Sequence, residues 1–220
     1  PFWYSDDGSG GLGELQNLSW TDSQSNTVQY NVAKFSFASL NIGDGVRVSL
    51  LGNNPIHLDV TGDANLQAVL SANGMDGDDT SSQTTSTPGF LGGGKGGSNN
   101  PDTHGFGPGH IVGTNPYKSG GSRYKSGDLT GSGLVAGKAP GGGSYGGSGG
   151  RPEPAGGTDG QGTHPISGQT YGSINIDALL GGSGGGGGDT RPGGSGGGAI
   201  KITSGGTLTL GAGIYTNGGI

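Results

Sequence analysis

The feature that most restricts this chain is an internal repeat. The stretch Ile56 to Gly74, IHLDVTGDANLQAVLSANG, returns 144 positions later as Ile200 to Gly218, IKITSGGTLTLGAGIYTNG, with no gap. Identical pairs are Ile56/Ile200, Gly62/Gly206, Leu66/Leu210, Ala68/Ala212, Asn73/Asn217 and Gly74/Gly218, while Leu58 matches Ile202 and Leu70 matches Ile214. Within each copy the apolar residues alternate with polar ones, so the kept positions share one face of a strand. One such unit cannot bury its apolar face alone, and repeated units of this kind stack. The expectation is a β-solenoid whose coils close at Asn-Gly corners, where positive φ is cheap.

Alternation extends upstream through Phe35/Phe37, Leu40/Ile42, Val46/Val48/Leu50 and Ile56/Leu58/Val60 to Leu66 and Leu70, broken by Gly-Asp-Gly and Gly-Asn-Asn-Pro. These runs predict short strands joined by tight turns, and no helical period is sustained. The fold class is therefore all-β. Residues 1–27 form an N-terminal arm with an aromatic tail, 28–74 the first coils, 75–198 a glycine-rich insertion and 199–220 a resumed coil that is cut short. The chain starts at Pro1 and stops at Gly218-Gly219-Ile220, and both ends read as cuts through a longer or processed protein.

Between the copies, residues 75–198 hold 42 of the chain's 57 glycines. Glycine is costly to order, so a disordered linker is one reading. The other is order without an apolar core: polyproline II segments lying side by side, their backbones brought close by missing side chains. Tyr117, Tyr124, Tyr145 and Tyr171 recur through the zone and would pin such packing. Because the solenoid resumes in register, the excursion must leave and return at neighbouring corners, which favours a folded insertion.

The run FSFASLNIGDGVRVSLLGNNPIHLDVTGDANLQAVLSANG, followed by GGSGGGAIKITSGGTLTLGAGIYTNGG, resembles the glycine-rich parallel β-helix regions of large bacterial surface and adhesin-like proteins. The resemblance covers residues 35 to 219. It implies a right-handed parallel β-helix on the cell exterior and no particular activity.

Net charge is −6 with ten Lys and Arg in all, and no basic stripe points to nucleic acid. Cysteine is absent, which fits a surface protein held together by backbone pairing. No apolar run is long enough for a membrane helix. Candidate chemistry is sparse. His57 and Asp59 should point outward together on one strand, with Arg47 and Lys201 also facing out, and a solvated strand face is the favoured reading over an acid–base pair. Asp76, Asp78 and Asp79 are weak candidates for a structural Ca²⁺, since neither an EF-hand nor a solenoid nonapeptide pattern is present. His104, His110 and His164 lack ligand spacing. Asn17-Leu18-Ser19 is a glycosylation acceptor in a eukaryotic source and a loop tripeptide otherwise, and Thr80–Thr87 has the composition of a stalk.

The aromatics Phe2, Trp3 and Tyr4 are candidates for self-association, covering a solenoid end or docking into a neighbour. The expected function is a non-enzymatic structural protein that assembles with itself into a filament, sheath or matrix, with no cofactor. The alternative is an adhesin or carbohydrate-binding module using exposed Tyr and Trp20 on surface glycans. A polysaccharide-cleaving enzyme ranks last.

Overall fold

The computed structural model describes residues 13–21, 27–77, 88–98, 105, 107, 178–186 and 192–219. The described residues form strands and extended segments without helix. The strands are β1 (Gly13–Thr21), β2 (Thr27–Phe37), β3 (Leu40–Ile42), β4 (Ile56–Val60), β5 (Ala64–Leu66), β6 (Leu70–Ser71), β7 (Ile200–Ser204), β8 (Leu208–Leu210) and β9 (Ile214–Tyr215). They assemble into three sheets of order β1-β2-β4-β7, β3-β5-β8 and β6-β9.

Apart from the antiparallel β1–β2 pair, every pairing is parallel. Ile56 lies beside Ile200, Ala64 beside Leu208 and Leu70 beside Ile214, the offset of the sequence repeat. The chain thus lays down successive tiers: β2 and β3, then β4 to β6, then β7 to β9. The alternation explains the layering. Ile56, Leu58, Val60, Ala64, Leu66 and Leu70 all turn into one core with Phe35, Leu40 and Ile42 from the tier before.

Three features depart from the sequence reading. β1 lies upstream of the strand-rich zone expected from residue 28; it is polar, and its Leu15 and Leu18 are exposed. Val46, Val48 and Leu50 alternate but form no strand, for the chain bends at Gly45 and again at Gly52, both with positive φ. The carbonyls of Gly52 and Asn53 accept from Leu91 and Gly92. The Asn-Gly corners also work differently. Neither Asn73–Gly74 nor Asn217–Gly218 has positive φ. Asn73 is there for its side chain, whose Oδ1 accepts from Asn217 N at 2.9 Å. Gly74 is there for closeness, because a Cβ would strike the backbone of Ser195 and Gly196.

That closeness introduces the second half of the structure. Described parts of the glycine-rich zone run as extended segments joined by backbone hydrogen bonds. Segment 192–198 is buried throughout and uses its residues in turn on three sides. Gly193 and Gly196 donate to Gly97 and Gly94, the carbonyls of Gly194 and Gly197 accept from Gly185 and Gly182, and Ser195 and Gly198 donate to Met75 and Ala72. Gly94 and Gly97 in turn donate to Gly182 and Gly185, closing a ring of three segments. These contacts recur every third residue, not every second as side chains do along a pleated strand. Tyr117, Tyr124, Tyr145 and Tyr171, expected to pin this packing, lie outside the described residues.

The two halves meet at Leu91. It is fully buried in the core cluster, bonds Gly52 O through its N–H and Ala199 N through its carbonyl, and holds φ at 46°. A non-glycine residue there costs about 1–3 kcal/mol. Burying the leucine side chain gains about 1.5–3 kcal/mol and offsets that strain.

Packing without side chains makes a sharp prediction. Gly196→Ala drives a methyl into the backbone of Gly182 and Ser183 and should destabilise by about 1–3 kcal/mol in urea unfolding. Gly43→Ala, with nothing within 4 Å and an ordinary φ, should be neutral or slightly stabilising. Equal effects at the two positions would contradict the close-packed arrangement.

Candidate functional site

Among the described residues, the strongest concentration of interacting polar side chains is the outward face of the four-stranded sheet. Alternation turns the even-spaced partners of the core residues outward, and parallel register lines them into rows. One row is Glu14, Lys34, His57 and Lys201; the next is Ser36, Asp59 and Thr203. Adjacent members of a row sit about 4.8 Å apart along the hydrogen-bonding direction.

Four of these residues are joined. Lys34 Nζ lies 2.8 Å from Asp59 Oδ2. Thr203 Oγ1 donates to Asp59 Oδ1 at 2.6 Å, and His57 Nε2 lies 3.0 Å from Thr203 Oγ1. The hydroxyl has one proton, and the carboxylate can only accept it, so Thr203 receives from His57. That assigns the proton to Nε2 of the neutral ring. The two bonds hold the Asp59 carboxyl down at about 2, Lys34 contributing most and Thr203 next. The same contact with Asp59 raises Lys34. Burial and then the neighbouring Lys201 lower His57, favouring its neutral form.

The order of donors decides what this group can do. In an activated nucleophile the hydroxyl gives its proton to the imidazole. Here the imidazole gives to the hydroxyl and the hydroxyl to the carboxylate. As bonded, the four side chains form a clamp across β2, β4 and β7. Lys201 is exposed at one end of the row, and Arg47 is exposed outside the strands, away from the strand-face position expected for it.

His57 and Asp59 therefore do lie together on one outward face. Lys34 and Thr203 were missed, although the sequence carries a signal for both. Lys34 is the polar residue between inward Ala33 and Phe35, and Thr203 stands 144 positions after Asp59. Two further side chains reach the next tier at the same offset: Asp63 Oδ1 accepts from Thr207 N at 2.7 Å, as Asn73 does from Asn217.

The remaining candidates are dispersed. Asn17 is in β1, not in a loop, and its amide donates to Asn31 Oδ1 at 2.9 Å. Trp20 is half-buried in the same strand. Asp76 is exposed after the second tier; Asp78 and Asp79 lie outside the described residues, as do Phe2, Trp3 and Tyr4, His104, His110 and His164, and Thr80–Thr87. Among the described residues, no three of His, Asp and Glu gather as metal ligands, and no helix is long and apolar enough to cross a membrane. Compared with protein-family models, with curated proteins and with solved structures, the chain matches none.

The clamp gives the fold a pH dependence of defined sign. Asp59 is depressed from 3.8 to about 2, so its contribution is present above the unfolded value and is lost as pH falls from about 4 toward 2. His57 is lowered from 6.5, so its contribution is complete above that value and declines as pH falls through it. Carboxyl ¹³C titration should place Asp59 near 2, and Lys34→Met should return it toward the ordinary range. An Asp59 midpoint unmoved by that substitution would rule out the lysine contact.

Proposed function

We propose that this chain is a non-enzymatic structural protein of the cell exterior that assembles with itself into a filament, sheath or matrix. Its tiers are the coils of a short right-handed parallel β-helix, and its glycine-rich segments pack on them as polyproline II helices. The repeat at a constant parallel register supports the coils, and the three-residue recurrence of backbone bonds supports the helices.

One observation carries the functional reading. The third tier repeats the apolar pattern of the second and pairs with it in parallel at one constant offset along all three sheets. Units that repeat in register and are joined by backbone pairing and cross-tier polar bonds stack, and stacking is the construction of extended structural proteins. The polar face does not compete with this reading, because Lys34, His57, Asp59 and Thr203 satisfy one another across tiers.

Negative-stain electron microscopy of the purified protein should show ordered assemblies whose size grows with concentration. Dispersed particles of constant size at every concentration would sink the proposal.

A further inference from the structure

The corner after β6 combines an Asn-Gly dipeptide with a branch in the backbone ladder. Ala72 N donates to Tyr215 O at 2.7 Å and Gly74 N to Asn217 O at 2.7 Å, as in a parallel pair. In such a pair the Ala72 carbonyl would accept from Asn217 N. Here that carbonyl accepts instead from Gly198 N of the glycine-rich segment, at 2.7 Å. Asn73 Oδ1 takes its place and accepts from Asn217 N at 2.9 Å. The Asn73 side chain thus stands in for a backbone carbonyl that the glycine segment has diverted.

The same residues carry a latent reaction. In an Asn-Gly pair the glycine nitrogen can attack Cγ of the asparagine, because glycine has no side chain to hinder the approach. The N–Cγ bond forms as the Cγ–Nδ2 bond breaks, and ammonia leaves with the proton of the glycine nitrogen. Water then opens the five-membered imide at either carbonyl, giving aspartate or isoaspartate. Asn73 is exposed and Gly74 half-buried, so water and hydroxide reach the corner. What opposes the reaction is Asn217. The attacking atom, Gly74 N, is engaged with Asn217 O, and the side chain it must reach is held by Asn217 N.

We propose that Asn73 is a deamidation site that the third tier holds closed, inert while Asn217 is docked and reactive when that contact opens. Opening is reversible, but its product is not. Isoaspartate routes the main chain through the former side chain and adds one backbone atom at residue 73. The corner has no room for that shift, since even a Cβ on Gly74 would strike the backbone of Ser195 and Gly196. Reaction during an opening therefore keeps the two tiers from docking again in place. The inference stands independently of self-assembly, because every atom it uses belongs to one chain.

Peptide mapping and amide hydrogen exchange on the 220-residue chain at mildly alkaline pH test this together. In urea, Asn73 should convert to aspartate and isoaspartate; in the native protein it should do so at least about tenfold more slowly. Hydrogen exchange at Gly74 and attack by Gly74 N both require the bond to Asn217 O to open. The protection of that amide should therefore match the slowing of Asn73 conversion within about threefold. Neither measurement needs a substitution, so misfolding of a variant does not enter. Conversion as fast in the native protein as in urea would overturn the proposal, as would no conversion in urea. Slowing that exceeds the Gly74 protection by more than about tenfold would assign it to backbone conformation and overturn the role of Asn217.

Discussion

The structure depends on one buried backbone segment. Residues 192–198 have neighbours on three sides, and each side is made chiefly of another backbone. Buried N–H and C=O groups must be paired, and here successive residues direct theirs to different neighbours. This arrangement dictates sequence directly. A methyl on Gly193 would meet Gly185 and Gly186, on Gly196 it would meet Gly182, and on Gly197 it would meet Thr216. Between Gly193 and Gly198, Ser195 alone carries a side chain, and its hydroxyl has a use: it accepts from Met75 N at 2.7 Å.

The segment also sets where β7 begins. Gly198 is tied to Ala72 and Ala199 to Leu91, so Ile200 is delivered beside Ile56. Two kinds of cohesion are therefore coupled in series. Below Leu91 the chain is held by apolar side chains facing inward from three sheets; beyond it, by hydrogen bonds and close backbone contact. Leu91 belongs to both, with its side chain in the core and its backbone between Gly52 and Ala199. Its left-handed conformation is the local cost of the change from one construction to the other.

How far the sequence discloses this depends on side chains. The second and third tiers were legible because Ile56, Leu58 and Val60 alternate with His57 and Asp59, and the 144-residue offset repeats the pattern. Even the clamp was within reach, since Thr203 follows Asp59 by that offset. The alternation at Val46–Leu50 misled because it reports which side chains prefer burial, while pairing depends on backbone position, and Gly52 and Asn53 are bonded to the glycine segment instead. β1 carried little signal because it is an edge strand with a polar majority. The partners of segment 192–198 were invisible for a different reason. A three-residue period can be read only when one of three faces differs in chemistry, and here nearly all faces are glycine.

The long excursion between the second and third tiers asks what selects the register on return. Loop closure weakens only slowly with length, at about 0.6 kcal/mol for each doubling, so the separation itself is tolerable. A slip by one residue is the greater hazard, since it would turn Ile200 and Ile202 outward and Lys201 into the core. Apolar alternation excludes that slip but not one of two residues. The side-chain bond from Thr203 to Asp59 disfavours the second kind, and the backbone N–H groups of Thr207 and Asn217 reach Asp63 and Asn73 at the same offset. The outward face of His57, Asp59 and Thr203 is therefore best understood as the register key of the stack. It follows that the segments bonded to one another within the excursion and at its ends, 72–77, 88–98, 178–186 and 192–198, cannot take insertions without breaking that network.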